Sequence, residues 1–156
     1  MKSLKQIYVE YEIGEIYPEN LPKVLIDVLN PTNQNEFLIK ISYLKKPTRA
    51  DIYELLYSAF EIPEKEKLTK QEKLDLLINK WLNNKVDSKT LHDRIKYFEL
   101  AESFSSKNFD EFMKNLDMEA GGNWVPGDEW DWAIENLKKD FRIENRYSEF
   151  LIKTSC

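Results

Sequence analysis

Two amphipathic segments with their start signals attached, lying between Thr48 and Leu82, constrain this chain more than any other feature of its 156 residues. Ile52, Leu55, Leu56, Ala59 and Phe60 follow the i, i+3, i+4, i+7, i+8 spacing that brings apolar side chains to one face of an α-helix. Thr48 stands at the N-cap, where its hydroxyl can accept a free backbone N–H, and Asp51 three residues on favours the positive end of the helix dipole. Thr69 and Glu72 repeat the pattern as a capping box, followed by a stripe of Leu74, Leu77, Ile78, Trp81 and Leu82. Ile62-Pro63 between them is expected to close the first helix, because a residue before proline is pushed out of the α region.

A chain of this length can bury roughly 68–70% of its unfolded surface in one core, and one domain over residues 1–156 is expected. The 33% share of charged residues exceeds the usual quarter and suits helices with solvated faces. With 23 basic against 28 acidic side chains the net charge is −5, so the molecule repels phosphate backbones and a basic protein is the better partner. Direct binding of nucleic acid is not expected. Cys156 is the only cysteine, so no disulfide within the chain is possible, and neither a signal-peptide core at the start nor an apolar run of membrane-spanning length is found; a cytoplasmic protein with no membrane association is expected.

The remaining segments extend the helical reading with one ambiguous region. Ile7, Val9, Tyr11 and Ile13 alternate like a strand, yet Leu4, Tyr8 and Tyr11 also share a helical face. Leu21, Val24, Leu25, Val28 and Leu29 favour a helix, with Asn20 as its cap and Pro22 in its first turn. Phe37 to Leu44 fits either state, with helix preferred. The fold class is therefore mainly α, a single-domain multi-helix bundle, and the alternative is an α+β fold with a small N-terminal sheet in residues 4–44. Further on, Asp87-Ser88 opens a helix through Leu91, Ile95 and Phe98, whose apolar residues, counting Tyr97 and Leu100, cover more than one face and imply burial. Asn108 with Glu111 resembles a cap before Phe109, Phe112, Met113 and Leu116. A glycine-rich loop, Ala120 to Gly127, precedes a last helix from about Asp128, its expected N-cap, to Phe141, with Trp130, Ala133, Ile134, Leu137 and Phe141 inward.

Little in the chain suggests catalysis. His92 is the sole histidine, which excludes the usual paired-histidine zinc and di-iron sites, and no glycine-serine elbow supports a nucleophilic triad. The glycine-rich loop lacks the lysine and hydroxyl of a phosphate cradle and the glycine spacing of a dinucleotide site. Asp128-Glu129-Trp130-Asp131 lacks the alternating oxygen ligands of a calcium loop. No catalytic residue, cofactor or metal is expected, and His92 reads as a surface imidazole beside Asp93 and Arg94.

Two features suggest recognition instead. A turn of 100° per residue places Trp132 roughly opposite Trp130, on the face holding Glu135, Asn136 and Lys139. Such a tryptophan either is covered by another segment, for which Tyr147 to Ile152 is the candidate, or serves as an interface anchor. In addition, Asp110, Glu111, Asp117, Glu119, Asp128, Glu129 and Asp131 face the single base Lys114 within 22 residues. An acidic patch beside exposed aromatics suits a surface that steers and then anchors a basic partner. The expected partner-binding residues are Asp117, Glu119, Trp124, Asp128, Glu129, Asp131, Trp132 and Glu135.

The stretch from Leu21 through Leu82, with short capped helices broken at Asn30-Pro31, Lys46-Pro47-Thr48 and Ile62-Pro63 and ending in a lysine-rich helix with Trp81, resembles in type the small acidic helical immunity proteins that bacteria pair with secreted or contact-delivered toxins. The resemblance covers under half the chain, and Gly121 to Trp132 departs from it. It implies a non-catalytic inhibitor that binds a cognate toxin domain, such as a nuclease, by steric and electrostatic blocking. The alternatives are an adaptor or regulatory protein of a phage or mobile element and, third, a small-ligand protein or enzyme built around His92.

Overall fold

The computed structural model describes residues 3–28, 35–63, 66–103, 106–122 and 127–140, with backbone only at 103, 127–129 and 138. Among the described residues there are eight α-helices and no strand: α1 Leu4–Glu12, α2 Leu21–Val28, α3 Glu36–Ser42, α4 Arg49–Ala59, α5 Lys70–Leu82, α6 Ser88–Tyr97, α7 Lys107–Ala120 and α8 Gly127–Asp140. The mainly helical expectation holds, and residues 4–44 contribute three helices. None of the described helices is long and apolar enough to cross a membrane. The chain divides into two compact units, Met1–Leu68 with α1 to α4 and Thr69–Cys156 with α5 to α8.

Helix starts follow side-chain chemistry. Thr48 and Thr69 both form complete capping boxes, with Asp51 and Glu72 returning a hydrogen bond to the cap N–H. Ser3 caps α1, Asn35 caps α3 and Asp87 caps α6. Three expected caps fail. Asn20 ends a 3-10 turn, Pro18–Asn20, that runs directly into α2. Ser106 and not Asn108 caps α7, accepting the Phe109 N–H at 3.4 Å. Helix α8 begins at Gly127, so Asp128 lies inside its first turn instead of before it.

Helix ends share one device. After α1, α4, α5 and α6 a residue takes the left-handed conformation, at Gly14 (φ 86°), Glu61 (φ 55°), Asn84 (φ 58°) and Glu99 (φ 54°). The next N–H then reaches back five residues, as from Glu15 to Glu10 (2.8 Å) and from Ile62 to Tyr57 (2.9 Å). These are Schellman closures, and glycine, the residue that adopts this conformation without steric cost, stands at only one of the four. Helix α4 therefore ends at Ala59, before the Ile62-Pro63 stop expected from proline.

In the first unit, Tyr8 is the pivot. Its hydroxyl accepts the Leu68 N–H at 3.1 Å, and its ring lies 6.0 Å from Phe60 and 6.3 Å from Tyr57 between centroids. Arg49, the first residue of α4, closes the carboxyl end of α1. Its guanidinium stacks 4.8 Å from the Tyr11 ring, donates to the Tyr11 carbonyl and pairs with Glu12 at 3.7 Å. Every residue from Ile7 to Ile13 is buried, Glu10 and Glu12 included. A segment buried on all sides loses the periodicity that separates helix from strand, which accounts for the ambiguity of this region.

The second unit packs α6 on α5, α7 on α6 and α8 on α7. Residues 74–80 of α5 are all buried, so the expected stripe of Leu74, Leu77 and Ile78 understates its burial. Helix α6 errs the other way. It is amphipathic, with Leu91 and Ile95 inside and Tyr97 64% exposed. Leu100, which implied a second apolar face, lies beyond the helix end, folded back so that its N–H donates to the Ile95 carbonyl at 3.0 Å.

Candidate interaction surface

Helix α8 separates its two tryptophans. Ala133 and Leu137 are 1% exposed and Trp130 is half-buried, stacked on Phe112 with 12° between the ring planes and 5.6 Å between centroids. Trp81 completes the cluster, 5.4 Å from Phe112 and 5.3 Å from Trp130, and its indole N–H donates to Ser88 Oγ at 3.0 Å. This cluster sets the rotation of α8 about its axis. Asp131, Trp132, Glu135 and Lys139 are consequently all exposed, and they fall within an arc of roughly 100°. Trp132 is 60% exposed, an area a tryptophan rarely leaves in water without a partner.

The expected surface is thus brought together only in part. Asp131, Trp132 and Glu135 share one face of α8. Asp117 is engaged elsewhere: His92, 15% exposed, pairs through Nε2 with Asp117 Oδ1 at 2.5 Å and through Nδ1 with Asp93 Oδ1 at 3.4 Å, so the imidazole links α6 to α7. Of the other acids in the run, Glu111 pairs with Lys114 at 3.6 Å, an i, i+3 contact. Trp124 lies outside the described residues, as do Phe141 and the proposed cover from Tyr147 to Ile152. Asp128 and Glu129 are described by backbone alone, in the first turn of α8.

Glu119 contributes to a different feature, a cleft of about 520 Å³ at the α5–α6 turn. Half-buried Trp81, Leu82, Val86 and Ile134 form its apolar floor, and Asp87, Lys89 and Glu119 are on its rim. Asp87 is occupied as the cap of α6. Its carboxylate accepts the Thr90 N–H at 2.7 Å, and the Thr90 side chain, this backbone bond and the neighbouring Lys89 and Arg94 charges together hold its pKa below the usual value. The cleft escaped sequence reasoning because its walls come from four helices; the one local signal was the apolar pair Leu82 and Val86 flanking a turn.

Among the described residues no group of three or more histidine, cysteine or acidic side chains could hold a metal ion. Asp75 is a described carboxylate whose proton is held more firmly than usual. Burial raises its pKa from 3.8 to about 6, the Glu72 charge adds to the rise, and a hydrogen bond from Gln71 at 3.1 Å opposes it. Asp75 is on neither the α8 face nor the cleft. Compared with protein-family models, with curated proteins and with solved structures, the chain matches none.

Proposed function

We propose that this protein is a non-catalytic inhibitor of immunity type, which binds one cognate toxin domain with a basic surface, such as a nuclease, and blocks its active site or substrate entry. The observation that carries the reading is Trp132, 60% exposed on the same face as Asp131 and Glu135, on a helix whose opposite face is locked by the Phe112–Trp130 stack. A large apolar side chain on a rigid, negatively charged face has both parts of a protein contact: charge that steers a basic partner and a ring that anchors it. The net charge of −5 favours the same class of partner.

The test is affinity capture from the source organism with the tagged chain, followed by calorimetry with the captured protein. A basic toxin domain bound near one-to-one and inhibited on binding is the expected result. Capture of a basic protein with no toxic activity would transfer the surface to an adaptor or regulatory role and remove the toxin from the proposal.

A further inference from the structure

The cleft at the α5–α6 turn carries information that the α8 face does not. We propose that it is a socket for one basic side chain of a protein partner, the apolar stem lying on the Trp81 and Ile134 floor and the cationic head pairing with Glu119. The partner reading above is needed only for the source of that side chain; the chemistry of the cleft stands on its own residues.

Three observations converge. The volume of about 520 Å³ lies within the usual range of roughly 300–1,000 Å³ for ligand sites. Its floor is apolar yet only half-buried, so an apolar stem laid there removes surface from water. Two carboxylates, Asp87 and Glu119, face one ammonium, Lys89, which leaves the rim with one net negative charge. Because Asp87 is tied to the Thr90 N–H and neighbours Lys89, the uncompensated charge is that of Glu119.

The position of Glu119 sharpens the choice of ligand. It lies in the last turn of α7, which contains no basic residue and where the helix dipole disfavours a carboxylate. Asp117, the other acid near that end, has the His92 imidazole as a partner, whereas Glu119 has no ion-pair partner among the described residues. An incoming cation would relieve both penalties. An anion would add a third charge to them, and a neutral apolar ligand would leave the carboxylate as it is. Arginine and lysine side chains combine an apolar stem with a charged head, which matches a half-buried apolar floor beside a carboxylate.

The experiment is a nuclear magnetic resonance titration of the full chain with N-acetyl-arginine amide, its neutral isostere N-acetyl-citrulline amide, and N-acetyl-glutamate amide. The Trp81 indole N–H and the Ala120 amide are the reporters. Expected are saturable shifts with the arginine compound, affinity at least about tenfold lower for citrulline and for Glu119→Gln, and no change in arginine binding for Trp132→Ala. Equal affinity for arginine and citrulline, preference for the glutamate compound, or absence of saturable shifts at these reporters would each overturn the socket. The arginine–citrulline comparison uses the unaltered chain, so it stands whether or not a variant folds. The titration needs no captured partner, so failure of the cleft is visible here and failure of the α8 surface in the calorimetry with the captured protein.

Discussion

The ring of Phe112 on α7 lies parallel to that of Trp130 on α8, and this stack turns Trp132, two residues on, out to solvent. The two tryptophans of one helix therefore do opposite work. Trp130→Ala opens a cavity in the aromatic cluster and is expected to cost about 3–5 kcal/mol of stability. Trp132→Ala removes a side chain that is mostly in water and is expected to stay within about 0.5 kcal/mol of the parent in the same urea denaturation.

Helix ends offer a gain instead of a loss. Glu61 and Glu99 occupy left-handed positions with φ of 55° and 54°, where glycine avoids the Cβ clash. Glu61→Gly and Glu99→Gly are each expected to raise stability by about 0.5–1 kcal/mol. Thermal denaturation of the two single variants checks this.

Ser106 joins two jobs: it caps α7 through the Phe109 N–H and its hydroxyl donates to Asp140 at the end of α8. Ser106→Ala should cost about 1–2 kcal/mol in chemical denaturation. Asn108→Ala, at the position first expected to be the cap, should fall within about 0.5 kcal/mol.

Asp75 gives the chain a pH dependence of determined sign. Its folded pKa, about 6, is above the unfolded value near 3.8, so the folded state binds its proton more tightly. The stability this group contributes is full below pH ~4, declines as pH rises through 6, and is absent above it. Asp75→Asn retains an acceptor for Gln71 and is expected to be more stable than the parent at pH 7.5 by about 2 kcal/mol, the advantage vanishing near pH 4. Denaturation at several pH values reads the difference directly, and the lowered carboxylates Asp51, in the capping box of α4, and Asp87, the N-cap of α6, cancel because both chains contain them.

What could be read before the fold was known follows a physical boundary. Capping boxes and one-sided apolar stripes are local, so Thr48, Thr69 and Asp87, with the helices behind them, were recoverable from spacing alone. Ile7 to Ile13 and residues 74–80 of α5 are buried all round, and Glu10, Asp75 and Lys80 lie inside although their charge suggested water. The end of α5 was legible at Asn83-Asn84-Lys85, whereas the ends of α4 and α6 were misplaced because their Schellman closures use Glu61 and Glu99 instead of glycine. On the candidate surface, the wheel placed Trp132, Asp131 and Glu135 together. It could not show that Asp117 is claimed by His92 across a helix boundary, or that Glu119 belongs to a cleft assembled from four helices.

The most direct measurement of the proposed function is the affinity of the captured basic partner for the parent chain and for Trp132→Ala combined with Asp131→Lys, by calorimetry at low and at physiological salt. Loss of one hot-spot tryptophan costs about 2 kcal/mol or more, and charge reversal adds to it, so a fall of at least roughly thirtyfold is expected, larger at low salt. An unchanged affinity, with the double variant folded as the parent, would contradict the assignment of the α8 face as the contact.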